Sequence, residues 1–183
     1  MKLISTLLLL FGSALAESQP FEFSRVSAYT WQGKNVSSKE FLAYVIEFES
    51  PHVTIVAHDY YFKPEGIPAG TIEAFDFVKA SEPGHVPWVQ FVDGTEWGDH
   101  KIGLSDILLK REPMLRSVSR MVSAYSHGGE KEFSAYLESN KDVDAFVKHI
   151  WIMQQQTGTD GALGHLKIRL DSAAKHDKML EGK

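Results

Sequence analysis

The chain has 183 residues, no cysteine and a formal net charge of −5, from 19 Lys and Arg against 24 Asp and Glu. Without cysteine it can form no disulfide, thiolate metal site, cysteine nucleophile or lipid-modified lipobox. The acidic balance argues against nucleic acid and anionic membrane surfaces as partners, and with 43% apolar residues one domain can bury a core unaided.

Residues 1–16 read as an export signal. Lys2 supplies the positive start, "LISTLLLLFGSALA" the apolar stretch, and Ala14-Leu15-Ala16 an A-x-A cleavage site. The apolar run falls short of the roughly 20 residues a bilayer span needs. The mature chain is therefore expected to begin at Glu17, to be soluble rather than membrane-spanning, and to carry 18 basic against 24 acidic residues. Small eukaryotic secreted domains usually rely on disulfides, so the expected setting is the bacterial periplasm or exterior. Asn35-Val36-Ser37 matches the glycosylation sequon, which matters only in a eukaryotic secretory route.

From Phe21 to His100 the apolar residues repeat mainly every second position. Leu42, Tyr44, Ile46 and Phe48 alternate with Phe41, Ala43, Val45 and Glu47, and Val53, Ile55 and Ala57 alternate with Thr54, Val56 and His58. This period predicts six strands, near 21–31, 40–49, 52–62, 70–79, 86–92 and 95–98. The stretches "QGKNVSSK", "ESPH", "KPEGIPAG" and "ASEPGH" separate them with turn chemistry. No long helix intervenes, which predicts an antiparallel, immunoglobulin-like β-sandwich over residues 17–103. The 40–49 strand is apolar on both faces, as suits a central strand covered on both sides.

From Ser105 the period becomes helical, and the fold class is accordingly α+β, with a small helical part at 104–183 packing on the sandwich. Pro113 predicts a turn at 105–112 and a helix from about 113. Leu115, Val118, Val122 and Tyr125 line one face of that helix, and Gly128-Gly129 ends it. A short helix begins at Phe133, Tyr136 and Leu137. Asn140 or Asp142 is expected to cap a third, striped by Val143, Phe146, Val147 and Ile150. "TGTDG" breaks the chain again. Residues 162–171 fit strand or helix, with helix favoured by the propensity of "DSAAKHDKML".

The densest chemistry lies in "VPWVQFVDGTEWGDH", residues 86–100. Asp93-Gly94 predicts a two-residue type I′ hairpin turn. That register sets Phe91 opposite Glu96 and Gln90 opposite Trp97, and puts Trp88, Val92 and Trp97 on one sheet face. Roofed by the helices, the tryptophans are structural; left open, they form a platform on which a sugar could stack. Trp31, Trp88 and Trp97 are therefore the candidate ligand-binding residues.

The histidines suggest a second chemistry. His52 and His58 point the same way from one strand but about 20 Å apart, too far to share a metal. His58-Asp59 and Asp99-His100, meeting across strands, would make a histidine and carboxylate site for zinc or copper. Nothing resembles an HxH, HxxxH or HExxH motif or a GxSxG elbow. "GTDGALG" follows a predicted helix rather than a strand, so it does not read as a phosphate loop. No catalytic residue and no cofactor is expected.

Two stretches, "NVSSKEFLAYVIEFES" (35–50) and "VQFVDGTEWGD" (89–99), together resemble a pattern in uncharacterised exported bacterial proteins. There an N-x-S-x-K loop leads into an "AYV" strand, and a VQF-x-DG-x-x-WGD hairpin follows. The resemblance spans residues 30–110 and extends, more loosely, to immunoglobulin-like modules of bacterial envelope proteins. It implies the sandwich fold and assigns no functional residue. The expected protein is an exported, non-enzymatic binding or envelope-associated module with a protein or glycan partner. The alternatives are a histidine and carboxylate metal-binding protein and a carbohydrate-binding module.

Overall fold

The computed structural model describes residues 18–49, 53–76 and 79–181; the signal-like segment and His52 lie outside them. Among the described residues, seven strands form two antiparallel sheets. β1 (Phe21–Arg25), β2 (Thr30–Asn35) and β5 (Ile72–Asp76) pair in the order β1-β2-β5. β3 (Phe41–Phe48), β4 (Thr54–Asp59), β6 (His85–Phe91) and β7 (Glu96–Gly98) pair in the order β4-β3-β6-β7. The sheets pack face to face over Phe21, Trp31, Phe41, Tyr44, Ile46, Phe48, Phe75, Val86 and Val89. The strand expected at 21–31 is thus two strands, because the chain turns at residues 26–29, where the Val26 and Ser27 amides bond to the Thr30 carbonyl. Gly33, in the middle of β2, lets three aromatic rings close in: a Cβ there would stand 2.9 Å from both Phe21 and Phe75 and 3.1 Å from Phe23.

β3 is the central strand that the two-faced apolar pattern predicts, but its alternation is broken once. Between Phe41 and Ala43 the register slips against β6, so Leu42 and Ala43 both turn away from the sandwich core. Leu42 joins Tyr61, Phe62 and Ala173; Ala43 joins Val45, Trp88 and Ile107. A bulge therefore widens the outer apolar face that the helices cover. A second slip, between Val45 and Glu47, adds its extra residue on β6 around Pro87, where a missing N–H costs no ladder bond.

The helical part begins earlier than expected. Asp99 caps α1 (His100–Gly103) through the Lys101 amide, 2.9 Å away. A π-helical turn at Leu104–Leu108 follows, then α2 (Leu109–Asn140). The helix runs through Pro113 instead of starting there. The wide turn just before it has already re-phased the hydrogen-bond ladder that proline would interrupt. α2 kinks at Gly128 and at Gly129, whose φ is +63°. α3 (Ala145–Glu181) kinks at Gly158, φ +75°, and runs as helix through 162–171. The cap of α3 is Asp144, not Asn140 or Asp142: its Oδ1 accepts the Phe146 amide at 2.8 Å, and its Oδ2 accepts the Ser117 hydroxyl at 2.7 Å. Val118, Met121, Phe133, Leu137, Ile150 and Leu166 form a core of their own between α2 and α3.

An ionic and aromatic cluster fastens the helices to the sheet. Arg111 grips Asp59 with Nε at 2.9 Å and Nη2 at 2.8 Å, donates from Nη1 to Gln90 Oε1 at 2.8 Å, and lies over the Tyr61 ring. The Tyr61 hydroxyl donates to Asp177, and His176 donates from Nδ1 to the Tyr61 carbonyl at 3.0 Å.

Candidate functional site

The hairpin at 89–99 forms with a different turn. The Gly94 amide donates to the Phe91 carbonyl and the Phe91 amide to the Thr95 carbonyl, both at 2.9 Å, with Gly94 at φ +73°. The loop is therefore three residues long, a turn closed by a left-handed glycine. One added residue shifts the register: Val89 pairs with Trp97, Gln90 with Glu96 and Trp88 with Gly98. The shared tryptophan face does not form. Trp97 turns towards the sandwich core and packs at its rim. Trp88 turns the other way, is fully buried, and lies beneath α1 against Ile107 and Ala43. Its Nε1 donates to Glu96 Oε2 at 2.9 Å, which also bonds to His100 Nδ1 at 2.7 Å. Trp31 is only 5% exposed, inside the sandwich. Of the three candidate stacking residues, Trp97 alone keeps a partly open surface.

That surface lies on a cleft of about 570 Å³ at the β1/β7 edge of the sandwich. Gln19 and Pro20 line one side, Ser37, Ser38 and Lys39 another, and Phe91, Thr95 and Trp97 the rest. Local turn chemistry builds these walls. Asn35 is fully buried. Its Nδ2 donates to the Lys39 and Ile67 carbonyls at 2.9 and 3.0 Å, and its Oδ1 accepts the Ser37 amide and hydroxyl at 3.0 and 2.7 Å. The N-x-S-x-K phrase is thus a turn held by its own asparagine, and the sequon amide is wholly occupied. Lys39 Nζ then reaches across the cleft to Asp93 Oδ2 at 2.7 Å and Thr95 Oγ1 at 2.8 Å, over the Phe91 ring. The Lys39 and Thr95 hydrogen bonds hold the Asp93 carboxyl well below the usual carboxylate range. Aromatic surface, hydroxyls and one ion pair together suit an uncharged, hydroxyl-rich ligand.

The four proposed metal ligands do not converge. β4 and β7 are opposite edges of the four-stranded sheet, about 14 Å apart at normal strand spacing. Asp59 is engaged by Arg111, Asp99 caps α1, and His100 pairs with Glu96. Among the described residues no group of three or more His, Cys, Asp or Glu side chains could hold a metal ion.

A cluster that motif reading did not find lies at the opposite edge, between β4 and β5. Strand alternation sends Asp59 to the helices and puts His58 and Tyr60 on the sandwich-facing side at its edge, where Tyr60 is buried and His58 stays exposed. His58 Nδ1 is 2.8 Å from the hydroxyl of Tyr44, its register partner on β3. The Tyr60 ring lies beside that of Tyr44, with centroids 6.4 Å apart, and the Tyr60 hydroxyl donates to Glu73 Oε2 on β5 at 3.1 Å. Desolvation pushes the Tyr44 phenol far up and the Tyr60 phenol up to about 12, while it lowers the His58 imidazole. The signal for this cluster was available in the i, i+2 spacing of His58 and Tyr60 on a period-two strand. Its partners Tyr44 and Glu73 come from elements that only folding brings near.

Fold and sites together define a two-sheet β-sandwich bearing a kinked helical part, with a polar-aromatic cleft at one edge and a hydrogen-bonded phenol, imidazole and carboxylate cluster at the other. Comparison with protein families, curated proteins and solved structures finds no match. No helix among the described residues is long and apolar enough to cross a membrane.

Proposed function

We propose that this chain is an exported, non-enzymatic binding module that takes a hydroxyl-rich ligand, such as a glycan unit, in the cleft between Lys39 and Trp97. The observation that carries the reading is the cleft itself: a half-buried Trp97 and the Phe91 ring beside the Ser37, Ser38 and Thr95 hydroxyls. Apolar C–H faces of a sugar stack on aromatic rings while its hydroxyls bond to polar neighbours. The leader-like residues 1–16 and the resemblance to exported bacterial proteins support the export. The sheet order supports an immunoglobulin-like sandwich, since β1-β2-β5 corresponds to strands A-B-E and β4-β3-β6-β7 to C′-C-F-G.

Titrating a Trp151→Phe protein with a panel of soluble oligosaccharides tests this, because Trp31 and Trp88 are shielded and the remaining fluorescence change reports Trp97. A saturable change with a matching calorimetric signal, both lost in Trp97→Ala, is expected. Binding by Trp97→Ala equal to the parent, or no response across the panel, would reject the glycan ligand. Turnover in a hydrolase screen, abolished by a single substitution, would reject the non-enzymatic reading.

A further inference from the structure

We propose that Tyr44, His58, Tyr60 and Glu73 form a site for one hard, strongly Lewis-acidic cation of the ferric class, held between the two sheets. The inference is independent of the cleft, which lies at the other edge of the sandwich.

The tetrad contains two phenols, one carboxylate and one imidazole, contributed by both sheets. His58 and Tyr60 lie two residues apart along the β4 edge on its sandwich-facing side, Tyr44 faces His58 across the β3–β4 pairing, and Glu73 comes from β5. Two pairs of donor atoms already stand at coordination spacing, and the Tyr60 ring that links the pairs lies 6.4 Å from that of Tyr44 and 6.2 Å from that of His58. Nδ1 of His58 is 2.8 Å from the Tyr44 hydroxyl, and the Tyr60 hydroxyl is 3.1 Å from Glu73 Oε2. Ligands at ~2.0–2.1 Å from a small six-coordinate cation stand about 3 Å from their nearest neighbours. Four protein donors leave two positions for water or a small anion, and exposed His58 marks the entry side.

Charge and hardness select the ion. Three oxygen donors carry three negative charges once both phenols ionise, which balances a trivalent cation. Carboxylate and phenolate oxygens are hard donors, and imidazole also suits iron. Buried phenols release their protons only to a strong Lewis acid, because a bound cation inverts the local proton preference. Binding therefore releases the Tyr44 and Tyr60 protons to solvent and involves no electron transfer. Lys63, with Nζ 4.1 Å from the centre of the Tyr60 ring, is a competing cation on an exposed side chain, which can turn into water as the metal enters.

The test incubates the full chain with ferric citrate, removes unbound metal, and reads iron per chain together with the visible spectrum. One iron per chain and a phenolate-to-iron charge-transfer band are expected. The band should weaken in Tyr60→Phe and in Tyr44→Phe and be lost when both are changed, iron retention should fall in His58→Ala, and neither should change in His100→Ala. Near-UV circular dichroism shows whether each variant is folded. If Tyr60→Phe is not, Glu73→Gln carries the test, since it keeps the shape and removes one charge. Unchanged iron retention in Glu73→Gln, no visible band in the folded parent protein, or an undiminished band in the folded tyrosine variants would overturn the proposal.

Discussion

Single residues decide how closely the layers approach. Gly103 lies flat on Trp88: a Cβ there would stand 2.1 Å from indole Cε2. Gly103→Ala must push α1 away from the sheet, and we expect a loss of about 1–3 kcal/mol, read as a lower urea midpoint with a red-shifted tryptophan emission. Asp93 is a residue of turn and tether. Its depressed carboxyl pKa means that the Lys39 and Thr95 bonds stabilise the folded chain above the ordinary carboxylate pKa and are lost as pH falls through the folded value. Between about pH 4 and pH 2 the parent protein should therefore lose more stability than Asp93→Asn, as measured by denaturant midpoints at each pH. Equal slopes would show that the tether is spent in solvent.

At the level of elements, the contact between helix and sheet hinges on Arg111. It is 11% exposed and Asp59 22%, so each charge relies on the other. Arg111→Ala leaves Asp59 with only the Tyr61 amide as a donor and takes the guanidinium from Gln90; breaking a fully buried pair costs about 3–5 kcal/mol, and this partly buried one should cost less than that. The loss should appear in calorimetry as a lowered transition temperature, and Asp59→Asn combined with Arg111→Ala should cost less than the sum of the two single changes. The hairpin shows why the periodicity put Trp88 and Trp97 on one face. Asp-Gly closes both two-residue and three-residue loops, and the choice of three moved Trp97 from the face of Trp88 to the opposite one. Likewise Asp59 follows His58 in sequence, yet the pleat separates them: one meets α2 and the other meets Tyr44.

Across the whole molecule, β3 is the shared wall. Phe41, Tyr44, Ile46 and Phe48 serve the sandwich core, while Leu42, Ala43 and Val45 serve the helix contacts. Leu42 and Trp88 would be bare if the helices lifted away, and each buried large apolar side chain is worth about 1.5–3 kcal/mol. The two parts should therefore unfold together. Far-UV circular dichroism dominated by α2 and α3 and near-UV signals from the sandwich aromatics should give superimposable denaturation curves. Two separated transitions would show that the helical part stands alone.

Periodicity and turn chemistry are local, so the sequence by itself determined the sheet-then-helix order, the two-faced central strand, the breaks at Gly128-Gly129 and near Gly158, and the hairpin's position. Tertiary structure alone decided which residues meet. A one-residue loop difference inverts a strand's faces, a bulge at Leu42-Ala43 recruits an extra residue to the helix side, and Glu73 reaches Tyr60 only because two edge strands from different sheets lie against each other. Those outcomes depend on packing over long sequence separations, which no local pattern encodes. The cleft beside Trp97 and the cluster around His58 are both consequences of that packing.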